Sequence, residues 1–227
     1  MPGPGASFSG FVTSNEDCSR TQVLLGCCRD AQPMIAPDSL PGQLCLACGL
    51  CCNGVLFKDV ELQRGDDVAH FKSLGLPIQE ARRVRRKSNR SSQPKPKVPL
   101  AKFPQPCAAL CPGNRCRIYA ERPARCREFE CALFKSVATG GSKLGDALKT
   151  IRAARQRADQ VRRLLRAAGD TDEHLALSLR FKRTRRRLEA GECDDASAET
   201  FSELTLAVHA LNVILSSRFY PAGQTQT

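Results

Sequence analysis

The sequence holds no tryptophan and only two tyrosines, which excludes a large aromatic core. No apolar run approaches the roughly 20 residues needed to cross a bilayer, so a membrane span is excluded as well. The opening, MPGPGASFSGFVTSNEDC, has neither the basic start nor the apolar stretch of a secretory signal. The expectation is a cytoplasmic protein whose thiols stay reduced. Recognisable substrate apparatus is missing too: there is no Gly-rich nucleotide loop, no His-Glu-x-x-His helix and no nucleophile elbow. His174 and His209 are isolated on helical stretches and are set aside as ligands.

Against these absences stand 13 cysteines in 227 residues. A reduced chain with clustered cysteines points to thiolates on metal rather than to a disulfide framework. Lys and Arg outnumber Asp and Glu by 35 to 23, for a net charge of +12. That surplus admits an anionic partner, nucleic acid among them, or an unidentified protein, without selecting one.

Composition divides the chain into three parts. Residues 1–44 are rich in Gly, Pro and Ser without a sustained period, as in a loosely structured leader holding Cys18, Cys27 and Cys28. Residues 45–135 carry most of the cysteines, interrupted over about 81–102 by ARRVRRKSNRSSQPKPKVPLAK, which has nine basic residues and no acidic one. Its prolines preclude a continuous helix. It lacks aromatic rings on which bases could stack. Residues 143–220 switch to helical periodicity. Leu144, Leu148, Ile151, Ala154, Ala158, Val161 and Leu165 line one face of a helix that Gly169 stops. A second helix is predicted from Thr171, with Asp172 and Glu173 in its first turn, Arg185–Arg187 in its last, and a seam of Leu177, Phe181 and Leu188. A third, from about Ala198 to Ser217, places Phe201, Leu204, Val208, Leu211 and Leu215 at a/d spacing. The expected fold is therefore mostly α, with an irregular metal-stabilised segment: a small cysteine-cluster module plus a C-terminal helical hairpin or three-helix array.

The strongest signal is CLACGLCC, which sets Cys45, Cys48, Cys51 and Cys52 within eight residues. Adjacent Cα atoms lie about 3.8 Å apart, inside the usual lower limit of about 4.4 Å for a bridged pair, so a Cys51–Cys52 disulfide would be strained. Metal ligation meets no such objection, and Gly49 permits the positive φ that a tight ligand turn needs. After the basic insert come Cys107, Cys111, Cys116, Cys126 and Cys131 in CAALCPGNRCRIYAERPARCREFEC. Neither half contains an apolar run long enough to serve as a core, so a shared metal would supply the stability that packing lacks.

Together CLACGLCC and CRIYAERPARCREFEC resemble the two halves of the YkgJ-like family, the CxxCxxCC zinc- or iron-chelating cysteine-cluster domain. The resemblance covers about residues 45–135. It implies metal ligation by Cys45, Cys48, Cys51, Cys52, Cys107, Cys116 and Cys126, joined by Cys131, with Cys111 and the long basic insert as local additions. Flagellin lysine-N-methylases share the domain, so the resemblance also admits a protein-modifying enzyme without establishing one. Zinc closes with four ligands, and eight thiolates suit two ions. The Cys45-x₂-Cys48-x₂-Cys51 run opens as a ferredoxin motif does, which favours an iron–sulfur cluster over zinc. Tyr119, Arg122 and Arg127 are candidates to hydrogen-bond around the sulfurs and tune the centre. The function expected is that of a metal-binding protein. The alternatives are the enzyme or a zinc module gripping nucleic acid through its basic stretches. The roles of Cys18, Cys27, Cys28, Cys111 and Cys193 are not fixed by the sequence.

Overall fold

Short elements come first along the chain and long helices last. A computed structural model describes residues 39–80, 101–192 and 195–221. In order these form α1 (Leu40–Cys48), β1 (Asp59–Glu61), α2 (Val68–Ser73), β2 (Gln79–Glu80), β3 (Ala101–Pro104), β4 (Leu110–Cys111), β5 (Arg115–Cys116), α3 (Ala124–Glu128), α4 (Ala132–Ala138), α5 (Leu144–Ala167), α6 (Leu177–Glu189) and α7 (Asp195–Arg218). Cys18, Cys27, Cys28, Cys193 and most of the basic insert lie outside the described residues. The molecule is mostly helical, with an irregular cysteine-bearing segment, as the sequence pattern implies. Among the described residues, no helix is long and apolar enough to cross a membrane.

The first long helix obeys its period. Ile151, Ala154, Ala158, Val161 and Leu165 of α5 are all at most 2% exposed, and Gly169 adopts φ 77° beyond its end. On α7, Leu204, Ala207, Leu211 and Leu215 are buried, while Phe201 and Val208 reach only the margin of the core. The small residues Ala154, Ala158 and Ala207 let the helices pack closely, and each fully buried leucine contributes about 1.5–3 kcal/mol.

The second helix departs from expectation: it begins at Leu177, not Thr171. Its acids do not sit in a first helical turn. Asp170 turns back instead, accepting a 2.8 Å bond from Arg180 Nε on one carboxylate oxygen and a 3.0 Å bond from Arg183 Nε on the other, while Asp172 pairs with Arg183. Tertiary ion pairing has overridden the macrodipole pattern. It also changes which residues the helix buries. Arg180 and Thr184 are enclosed, whereas Phe181 is only partly buried and stacks on Phe201 with ring centroids 5.5 Å apart.

An apolar core that the sequence did not reveal sits within the cysteine segment. β1, β3 and β2 form an antiparallel sheet in that order, pairing Val60 with Phe103 and Lys102 with both Glu61 and Gln79. Val60, Leu62, Phe71, Leu76, Ala101, Phe103, Ala109 and Ile118 pack together around it. They come one or two from each short element on both sides of the basic insert, so no single run betrays them. The insert's last two residues, Ala101 and Lys102, are themselves strand, and Lys102 pairs with Asp59 at 2.7 Å.

The larger core joins both ends of the described chain. Leu44, Leu50, Leu56 and Leu133 pack with the seams of α5 and α7. Hydrogen bonds fix this arrangement. Leu177 N donates to Gly54 O at 2.9 Å, Ala132 N to Phe219 O at 3.1 Å, and Tyr220 OH to Leu56 O at 2.9 Å.

Candidate metal centre

The first cysteine cluster is the end of a short helix and the turn that stops it. Ser39 starts α1 by accepting from Gly42 N at 3.1 Å, with Pro41 in its first turn. Cys45 and Cys48, three apart, project from the same side of the helix's last turn. Gly49 then takes φ 67° and returns its N–H to Cys45 O at 3.0 Å, ending the helix. Cys51 and Cys52 follow in the next turn, where Cys52 N bonds Gly49 O.

The second cluster is built against the first. β4 and β5 form a two-residue hairpin around Pro112–Asn114. Asn114 reaches from it to donate to Leu46 O at 2.7 Å. A Cβ on Gly49 would collide with the Asn114 side chain, so glycine is required there for close approach as well as for φ. Cys107 N donates to Cys52 O at 2.8 Å, a direct backbone tie between the two halves. Cys116 ends β5, and Cys126 lies on α3, for which Pro123 is the N-cap. Cys131 is the N-cap of α4, its sulfur accepting from Phe134 N at 3.4 Å.

Cys45, Cys48, Cys51, Cys52, Cys107, Cys116, Cys126 and Cys131 are all free thiols, of which five share one cavity while Cys107 is tied to Cys52 beside it. Cys111 is disulfide-bonded and adds none. A cavity of about 150 Å³ is walled by Cys45, Cys48, Cys51, Cys126 and Cys131, together with Tyr119, Arg122 and Arg127. Arg122 lies 3.6 Å over the Tyr119 ring, donates to Tyr119 O at 3.0 Å and reaches Cys126 O at 3.4 Å. Arg127 in turn donates to Arg122 O at 2.5 Å. His174 and His209 are solvent-exposed on the helical side.

Burial and mutual repulsion set the state of these thiols. Burial first, then neighbouring thiolates, push Cys45, Cys48 and Cys126 up to about 12, and Cys107 rises to about 11. Cys45 is open to solvent at its surface, yet the atoms packed around its sulfur are enough for this effect. Cys116 and Cys131 are also raised by burial. Cys51 moves the opposite way. Its sulfur lies 3.6 Å from that of Cys52, and a hydrogen bond from Cys52 lowers Cys51 while raising Cys52 well above the ordinary range. The positive charge of Arg122 draws Cys45, Cys51, Cys116 and Cys126 down, so a single guanidinium acts on both clusters.

Among the described residues, no group of three or more His, Cys, Asp or Glu side chains is drawn tightly enough to hold a metal ion as it stands. The donor set nonetheless fits a thiolate-bound metal. The cavity wall sets five thiols among apolar side chains and two arginines, with Glu130 its one carboxylate, and a bound cation would favour ionised forms of such buried thiols.

Comparison with known families agrees with this geometry. Residues 44–150 match the family CxxCxxCC, described as "Putative zinc- or iron-chelating domain". That stretch belongs to the CxxCxxCC family. No curated protein and no solved structure matches the chain.

Two residues beyond the CxxCxxCC stretch also grip the site. Arg155 of α5 donates to Ala47 O at 3.0 Å and Cys48 O at 3.3 Å, and Arg162, two turns on, reaches Asn53 O at 3.5 Å. Arg155 satisfies carbonyls left open where α1 ends, at the negative end of its dipole, and Arg162 reaches one in the turns beyond it. No local signal in the sequence marks either arginine, because the contact spans more than a hundred residues. Asn114 carries no local signal for its reach either, since Pro112-Gly113-Asn114 marks only a turn.

Proposed function

We propose that this is a metal-binding protein in which Cys45, Cys48, Cys51, Cys52, Cys107, Cys116, Cys126 and Cys131 hold an iron–sulfur centre or zinc. The observation that carries the reading is the cavity where Cys45, Cys48 and Cys51 meet Cys126 and Cys131 from beyond the basic insert, with the Cys107 N to Cys52 O bond tying the two halves beside it. In this reading residues 45–135 are the metal-binding domain and 143–220 a helical support. The eight free thiols among the described residues suit a reducing compartment such as the cytoplasm, against which the disulfide at Cys111 stands as the exception. Tyr119, Arg122 and Arg127 shield and tune the sulfurs, and the Arg122 guanidinium offsets thiolate charge. Iron–sulfur is the preferred occupant on the Cys45-x₂-Cys48-x₂-Cys51 spacing, with zinc as the alternative.

The chemistry available to the chain's own residues is limited to holding and screening the centre. The bound group would supply redox chemistry if iron and structural closure if zinc. Anaerobic purification followed by metal and sulfide analysis and an absorption spectrum tests the reading. A brown protein with iron and acid-labile sulfide supports the cluster, and a colourless protein with zinc supports the alternative. A reduced protein that retains neither metal and takes up neither on titration overturns both.

A further inference from the structure

We infer that the eight thiols form two separate four-sulfur sites, Cys45, Cys48, Cys51 and Cys131 in one and Cys52, Cys107, Cys116 and Cys126 in the other, meeting at the Cys51–Cys52 pair. The inference rests on the metal-binding reading and deepens it. Each set has the four donors that close one tetrahedral zinc or iron ion, or one iron–sulfur cluster.

Packing makes the division. Cys48, Cys51 and Cys131 lie against the larger core shared with α5 and α7, whereas Cys107, Cys116 and Cys126 lie against the small core around the sheet. Cys45 joins the first set because it stands one turn before Cys48 on the same helix. Cys52 joins the second because its carbonyl accepts from Cys107 N at 2.8 Å. Cys51 therefore faces the larger core while Cys52 is tied through its backbone to Cys107, and the 3.6 Å between their sulfurs is where the sets touch. Cys126 also reaches the cavity wall, close to that seam.

Donor count argues similarly: one tetrahedral ion closes with four of the eight thiolates, whereas two ions use all of them.

The test uses the full reduced chain under anaerobic conditions, titrated with Co²⁺ and followed by thiolate-to-cobalt absorption. The wild type should saturate at two equivalents. A Cys48→Ser/Cys131→Ser variant and a Cys107→Ser/Cys116→Ser variant should each saturate at one, with the helical circular dichroism of the wild type. Thiol alkylation of the half-loaded wild type, read by mass spectrometry, gives a second measurement that needs no variant: protection should appear four cysteines at a time, by set. Saturation of the wild type at one equivalent overturns the division while leaving metal binding intact. So does complete loss of uptake in a folded variant, or protection that crosses the sets. No Co²⁺ uptake by the wild type overturns the metal-binding reading and the division with it.

Discussion

The helical array and the cysteine module occupy the same molecule but are held by different forces. Helices α5 and α7 are 24 residues each and bury a continuous apolar seam. The module's longest helix has nine residues, and its strands have two to four. Helices of that length are marginal without tertiary support, and its small sheet core gives limited burial. The array stands on burial it shares with Leu44, Leu50, Leu56 and Leu133, while the module has only a small core of its own and, in the proposed reading, gains further stability through sulfur. The contrast teaches where a metal's contribution should be felt and where it should not.

Removing the metal is the hardest blow to that contrast. Chelation should speed amide exchange across residues 45–131 by the equivalent of about 10 kcal/mol at most, the scale of structural zinc sites, while α5 and α7 keep their protection. Unchanged exchange in the module would end the comparison. Acidity should separate the loaded and stripped forms further. In the stripped, reduced protein burial raises Cys45, Cys48 and Cys126 from the ordinary 9.0 to about 12. The folded state then holds those protons more tightly than the unfolded one. This contribution to stability is complete below pH 9.0 and is lost as pH rises from 9.0 toward 12. The loaded protein fails in the other direction, since protons compete with metal for sulfur as pH falls. Denaturant midpoints of both forms across the pH range check the two signs.

A smaller effect should strike the array and spare the module. Arg180 and Asp170 are each 1% exposed at the side chain and bonded at 2.8 Å. Burial favours the neutral carboxyl, but hydrogen bonds from Arg183 and Arg180 prevail and hold Asp170 below its ordinary range. Arg180→Ala leaves that carboxylate buried with only Arg183 beside it and should destabilise the protein by about 3–5 kcal/mol. Thermal unfolding measures the loss. Metal content per folded chain should not change, and a fall in it would show that the two regions are one cooperative unit.

The same division explains what was legible in the sequence. Helical period exposes a long seam directly, so the spacing of Ile151, Ala154, Ala158, Val161 and Leu165 is enough to assign them to one buried face. The start of α6 could not be read that way, because Asp172 and Glu173 obey the rule for a helix's first turn while pairing instead with Arg183 and Arg166. The module's sulfurs were legible because cysteine spacing is local chemistry. Its sheet was not: Val60 meets Phe103 across the basic insert, and neither strand is long enough to show alternation. Pairing across an insert leaves no periodic trace in the chain.

Arg155 is where the two regions meet most directly, and it lies outside the stretch that matches the CxxCxxCC family. If the array only covers the module, removing this side chain should leave the metal centre alone. If the array positions the first cluster, Arg155→Ala frees the carbonyls of Ala47 and Cys48, loosens the end of α1 that sets Cys45 and Cys48, and weakens metal binding by about 10- to 100-fold. A chelator competition measures this, with circular dichroism confirming that α5 remains helical. Lysine at the same position keeps a charge near the helix end, but its flexible ammonium lacks the fixed direction in which Arg155 Nη1 donates to both carbonyls, so Arg155→Lys should recover part of the affinity and not all of it. Full recovery by lysine would mean that charge alone is what the array supplies, and that the orientation of the guanidinium is incidental.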